Sequence, residues 1–187
     1  MGLFSKFPLA SVRTHIFDQA NGHRIFSRDC LEVTVDVPHG PNIKLLVNHF
    51  KSKGYGDQVS NDARRKAQAD RVAAILGNRA LDERVLVLGD FNDTPDRAPL
   101  QGLLAAPGLT NVLSATIPNP ADRWTYHYKN QKSQIDYLLA SNALPPVAAG
   151  IERRGIFGVA GVERFDTVTA DTNAASDHAA VWGEFEV

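Results

Sequence analysis

Four short strings in this chain put oxygen- or imidazole-bearing side chains where apolar segments end. They are Asn48-His49 in VNHFKSK, Asp90 and Asn92 in VLVLGDFNDTP, Asp136 in QIDYLLAS, and Asp177-His178 in SDHAAV. Residues two apart on an extended segment point the same way, so Asp90 and Asn92 can converge on one ligand. A carboxylate placed there can orient a water nucleophile, and the amide can bind a phosphoryl oxygen without adding like charge. Asx-rich strings are also ordinary turns. Asp177 is a hard oxygen donor of the kind Mg²⁺ or Mn²⁺ takes, and His178 can stabilise charge developing on a phosphoryl oxygen. A strand-entry turn with a structural histidine would read the same way. Asp136 interrupts an apolar run, where an unpaired carboxylate carries a desolvation cost. His178 is a natural partner, because a carboxylate on one ring nitrogen fixes the tautomer and favours the imidazolium. An arginine, or water at a sheet edge, would satisfy Asp136 as well. His49 can donate to a leaving oxygen while Lys51 and Lys53 attract phosphate. Arg28, and Arg64 or Arg65, can grip phosphate bidentately, although each arginine alone also fits surface charge.

These side chains need elements to hold them. Alternation from Leu31 to Val37 predicts a half-buried strand, Pro38 to Asn42 a turn, and Ile43 to His49 the returning strand of a hairpin. Asn61 or Asp62 is expected to cap a helix running to about Arg79. Its apolar stripe would be Ala67, Val72, Ala74, Ile75 and Leu76, with Arg64, Arg65, Lys66, Asp70 and Arg71 toward solvent or a ligand. Arg84 to Leu88 reads as a buried strand, and Ala98 to Leu104 as a short helix begun near Pro99. Further strands are predicted at Trp124–Tyr128, Gln134–Ala140, Val147–Arg153 and Ala179–Phe185. So strand-rich a pattern, with two helices, points to an α/β (α+β) chain of two packed, mainly antiparallel sheets with helices outside.

Composition agrees with a folded chain. Of 187 residues, 43% are hydrophobic and 22% charged, outside the range of disordered segments. The lone cysteine, Cys30, excludes an internal disulfide framework and a multi-cysteine zinc site. A formal charge of −1 argues against a surface basic throughout, but not against a local basic groove. There is no apolar run of about 18 residues to span a membrane. Ser5, Lys6 and Pro8 break the amino-terminal stretch, so it is not expected to act as a signal peptide.

Taken in order, FSRDCLEVTV, VNHFKSKG, NDARRKAQADRVAAIL, VLVLGDFNDTP, QIDYLLAS and SDHAAVWGEF resemble the endonuclease/exonuclease/phosphatase superfamily, the deoxyribonuclease I-like phosphoesterases. The wording around NHFKSKG is most similar to the bacterial extracellular nucleases. The resemblance implies a four-layer α/β/β/α sandwich with its site at one end of the two sheets. It also implies phosphodiester hydrolysis assisted by Mg²⁺ or Mn²⁺, with DNA or RNA as substrate, and a secreted or periplasmic location. On the matching positions, Asp90 would orient and deprotonate water, Asn92 would support it, and Asp177 with Asp90 would bind the metal. His178, held by Asp136, would stabilise the phosphorane-like charge. His49 would assist the leaving group, and Arg28 and Asn48 would hold phosphate. Residues 1–187 are expected to form one domain lacking the family's usual first strands, which carry an asparagine and a metal-binding glutamate. The open sheet edge this leaves would suit a homodimer. A phosphomonoesterase or lipid phosphodiesterase of the same superfamily, and a truncated, catalytically silent binding domain, are the alternatives.

Overall fold

The computed structural model describes residues 1–77 and 79–186. Along the chain run β1 (Leu9–Thr14), β2 (Gln19–Ala20), β3 (His23–Arg24), β4 (Cys30–Val35), β5 (Ile43–His49), α1 (Gln58–Leu76), α2 (Arg79–Asp82) and β6 (Val85–Asp90). They are followed by α3 (Ala98–Leu104), β7 (Leu109–Asn111), α4 (Val112–Thr116), β8 (Tyr126–Tyr128), β9 (Gln131–Ser133), β10 (Asp136–Ser141), β11 (Pro146–Glu152) and β12 (Ala180–Phe185). Asn78, inside the expected first helix, and Val187 lie outside the described residues.

The alternating segments do form the predicted hairpin, with Cys30 opposite Asn48 and Val33 opposite Leu45. A chain that must then return parallel needs a crossover, and α1 supplies it: β5 pairs with β6 in parallel, Leu45 beside Leu86 and His49 beside Asp90. The remaining pairs in this sheet are antiparallel, and its strand order is β1-β4-β5-β6-β10-β7. One face packs Leu46, Val85, Val87 and Leu139 against Val72, Ile75 and Leu76 of α1 and Leu100 and Leu103 of α3, with Cys30 fully buried in the same cluster. On the opposite face, Leu86, Leu138 and Ala140 pack with Val112 of α4 and with Ala149, Val181 and Phe185 of the two-stranded β11–β12 sheet. The result is the expected mixed α/β class, dominated by sheets with few helices, and the second sheet has two strands among the described residues.

The first helix differs from its sequence reading in two respects. It begins earlier, because Asp57 caps it by accepting from the backbone N–H groups of Val59 and Ser60; Asn61 and Asp62 lie within the helix. Its buried face also carries Asn61, Arg65 and Gln68 beside Ala69, Val72, Ile75 and Leu76, whereas Ala74 is exposed.

Candidate active site

Directly opposed residues in neighbouring strands share a face. His49 lies opposite Asp90, and Asp136 lies opposite Asp90 on the other side. Three adjacent strands, β5, β6 and β10, therefore present a histidine and two carboxylates in one lateral row at one end of the sheet. Each of the three is followed by an aromatic residue that points through to the helical side. Phe50 stacks on Phe91, and Phe91 on Tyr137, with ring centroids 4.7 Å apart at both contacts. This apolar column, buried in the core, fixes the backbone behind the polar row. The Phe50 N–H donates to Asp90 O at 2.9 Å, and the Phe91 N–H to Ile135 O at 2.8 Å.

Close approach of β5 and β6 at this row depends on Gly89. Its φ is +127°, and a Cβ there would sit 1.9 Å from Asn48 O. Asn92 is likewise in the left-handed region, at φ 55°, which asparagine tolerates better than most residues. That conformation turns Asn92 back on Asp90. The Asn92 backbone N–H donates to Asp90 Oδ1 at 2.7 Å, its side-chain amide to Asp90 Oδ2 at 2.9 Å, and the same amide to Phe50 O at 3.1 Å. His49 Nε2 approaches Asp90 Oδ2 at 3.3 Å. Burial, with the Asp136 charge beside it, pushes the Asp90 carboxyl up to about 6.

His178 arrives from just before β12. Its Nδ1 lies 2.9 Å from Asp136 Oδ2, and this hydrogen bond raises the imidazole pKa against the opposing effect of burial. His49 is shifted the other way, held down by burial and by the charges of Arg28 and His178. The two histidines thus differ in kind: His178 tends to the imidazolium and His49 to the neutral ring. Thr125 holds the start of β10, its Oγ1 accepting from the N–H groups of Ile135 and Asp136. The Tyr126 ring leans on His178 at 4.7 Å. Neither Thr125 nor Tyr126 stands out in the sequence as a site residue. The one available signal is the WTYHY string ahead of QIDY, which reads simply as a strand.

The other candidates disperse. Asp177, expected to bind metal with Asp90, does not join the cluster. Consecutive residues of an extended chain point apart, so with His178 turned to Asp136, Asp177 is exposed and lines a surface cavity with His127, Tyr128 and Phe157. The donors that do converge are Asp90, Asp136 and His178, whose ligand atoms lie within 4.8 Å of one another. Two half-buried carboxylates, one already destabilised by the other's charge, fit an oxygen-preferring divalent cation. Asn48, expected to hold phosphate, faces the helical side. It is 2% exposed, with its amide donating to Leu46 O and Oδ1 left without a partner.

Arg65 is fully buried and cannot meet an incoming phosphate. Its guanidinium bonds Asp93, Asp62 and Lys51 O. Arg64 is exposed and donates to Arg24 O. Lys51 Nζ donates to the carbonyls of Ser52, Gly54 and Tyr55, and Lys53 pairs with Asp93 at 2.7 Å. Of the four proposed phosphate contacts, Arg28 keeps an open position. It is exposed, and its charge reaches both His49 and Asp90.

Solved structures with this fold include an endonuclease/exonuclease/phosphatase from Beutenbergia cavernae DSM 12333, at TM-score 0.69 and 19% identity, covering 98% of this chain and 46% of that one. A humanized D. rerio TDP2 carrying 14 mutations gives TM-score 0.69 at 17% identity, covering 96% and 67%. The 3'-5' exonuclease (NExo) from Neisseria meningitidis gives 0.63 at 17%, covering 98% and 73%. The chain thus spans less than half the length of the first of these and about two thirds to three quarters of the others. No curated protein matches it by sequence. The sequence profile of the Endonuclease/Exonuclease/phosphatase family matches residues 1–178, over every strand of the row just described, and the chain belongs to that family.

Proposed function

We propose that the chain is a divalent-metal-dependent phosphodiester hydrolase acting on a nucleic-acid strand. The observation that carries this reading is the lateral row of His49, Asp90 and Asp136 with His178 bonded to Asp136. It combines a desolvated carboxylate, a second carboxylate and a cationic imidazole on one open face. Among its structural relatives, one is a 3'-5' exonuclease and another is a TDP2 complexed with single strand DNA product.

In this reading Asp90, held by both amides of Asn92, orients the attacking water and takes its proton. His178 keeps Nδ1–H on Asp136 and turns Nε2–H to a phosphoryl oxygen, where it stabilises the charge that builds as the new P–O bond forms. Arg28 adds a second cation on the phosphate. His49, neutral and 3.3 Å from Asp90 Oδ2, takes up on Nε2 the proton that Asp90 removes from the water and, as the imidazolium, delivers it to the departing oxygen. Asp90 and Asp136 would hold the divalent cation, which supplies Lewis-acid neutralisation of phosphoryl charge.

The test is degradation of a single-stranded oligonucleotide in Mg²⁺ or Mn²⁺, by the parent chain and by Asp90→Ala and His178→Ala. Each variant is expected to lose a factor of about 10³ or more, as members of a unit-like site do, and chelator is expected to abolish the parent's activity. Undiminished cleavage by both variants in excess chelator would overturn the reading. A folded, inactive parent chain would favour the silent binding domain.

A further inference from the structure

The β8–β9 hairpin grows directly out of the proposed site, yet no step above uses its aromatic side chains. Thr125 N–H donates to Ser133 O at its base, and Tyr126 bridges to His178 in antiparallel register. The turn is the two residues Lys129 and Asn130, at φ 46° and 63°, the two positive φ values of a tight turn whose twist matches the flanking strands. The hairpin is therefore a short, stiff projection. On one face, Tyr126 and Tyr128 stand two residues apart, opposite Ser133 and Gln131. Their rings lie 6.2 Å apart and 13° from parallel. Tyr126 is half-buried against His178, whereas Tyr128 is 55% exposed. An aromatic ladder thus leads outward from the catalytic imidazole and ends in an open ring. The Lys129 ammonium rests 5.3 Å from that ring, on a stem flexible enough to swing to a neighbouring phosphate.

We propose that this hairpin is a nucleobase-stacking subsite. Tyr128, backed by Tyr126, receives the base next to the phosphate bound at His178, and Lys129 meets the adjoining backbone. A ring one step from the reacting centre can be covered only by a base turned out of a duplex stack, so the subsite selects single-stranded or unpaired substrate. The proposal rests on the nucleic-acid reading above and deepens it. Stacking on an exposed aromatic is indifferent to base identity, so the subsite confers strand preference and no sequence preference.

The experiment is a cycle between protein and substrate. The parent, Tyr128→Ala and Tyr128→Trp chains are assayed on a single-stranded oligonucleotide and on the same strand with abasic sugars throughout. Tyr128→Ala is expected to raise KM about 10-fold on the first, in the range of one lost base stack, with kcat within a factor of two. On the abasic strand parent and variant are expected to be equal, and Tyr128→Trp is expected to restore the parental KM. An unchanged KM on the base-bearing strand, or an equal loss on both strands, would overturn the proposal. Should the parent cleave neither strand, the hydrolase reading fails separately. The subsite is then decided by fluorescence anisotropy of a labelled oligothymidylate, which Tyr128→Ala must weaken about 10-fold if the proposal is right and leave unchanged if it is wrong.

Discussion

Asn92 combines two duties that substitution can separate. Its backbone conformation, at φ 55°, lets its N–H reach Asp90, and its side-chain amide ties Asp90 to Phe50 O. Asn92→Gly preserves the first and removes the second. The expected result is a kcat at least about 10-fold lower, the scale of a misplaced catalytic group, with a urea midpoint within experimental scatter of the parent. Gly89→Ala is expected to act in the opposite sense, on stability first. A Cβ 1.9 Å from Asn48 O forces β5 and β6 apart, and the strained φ alone costs about 1–3 kcal/mol, measurable by urea denaturation. The sequence marked Asp90 and Asn92 where an apolar strand ends, Asp136 inside an apolar run and His178 just before one, and the structure brings these four side chains together. Asp177, by contrast, lies outside this cluster, exposed beside His127 and Tyr128. Its neighbour His178 turns to Asp136, 42 residues earlier in the chain, the partner expected from the sequence.

At the scale of elements, α1 does more than cross over between parallel strands. Its buried polar stripe clamps the irregular segment after β5. Gln68 Oε1 accepts from Lys51 N–H and its amide donates to Ile25 O. Arg65 bonds Lys51 O and Asp93, while Asn61 donates to Tyr55 O. Hydropathy cannot show such a stripe, because the partners are backbone groups and a carboxylate from a distant loop. The same periodicity that marked Val72, Ile75 and Leu76 as buried therefore assigned Arg65 to solvent or a ligand. Removing the fully buried Arg65 guanidinium from Asp93 by Arg65→Met is expected to cost about 3 kcal/mol, because the buried carboxylate keeps only its outer partners Lys53 and Arg97 and Lys51 O loses its donor. Adding Asp93→Asn should recover part of that loss in the urea midpoint; strict additivity of the two would show that they are not coupled. The strands β4, β5 and β6 and the helix α3 were readable from alternation or from an uninterrupted apolar run. The fully exposed β1, with no buried face, offers no such contrast and is defined only by its pairing with β4.

At the scale of the whole molecule, a network of ion pairs joins the segment after β1 and strand β4 to the helices. His15, 2% exposed, has Nδ1 3.1 Å from Asp18 and Nε2 2.9 Å from Glu32. Burial would raise both carboxyls, but Arg71 and His15 outweigh it at Asp18, and His15, Lys44 and Arg79 outweigh it at Glu32, so both fall below their ordinary values. A carboxyl depressed by folding stabilises the fold above its unfolded value of about 4 and loses that contribution as pH falls through the depressed one. These two carboxyls should therefore make the urea midpoint drop below about pH 4, and Glu32→Gln should flatten the drop. A midpoint of the parent chain that holds steady down to pH 3 would contradict this.

Cys30 lies between these regions. Fully buried, it sits opposite Asn48, one residue from the row of His49, Asp90 and Asp136, and burial, then the Asp29 charge, pushes its thiol up to about 12. Such a thiol is inert in the closed fold, so a maleimide can modify it only during a local opening of the core cluster that α1 and α3 close over it. The chain thus carries a native clock: the alkylation rate of its single thiol reports how often the floor beneath His49 comes apart. In the Gly89→Ala variant, that clock is expected to run faster before any loss of secondary structure is seen.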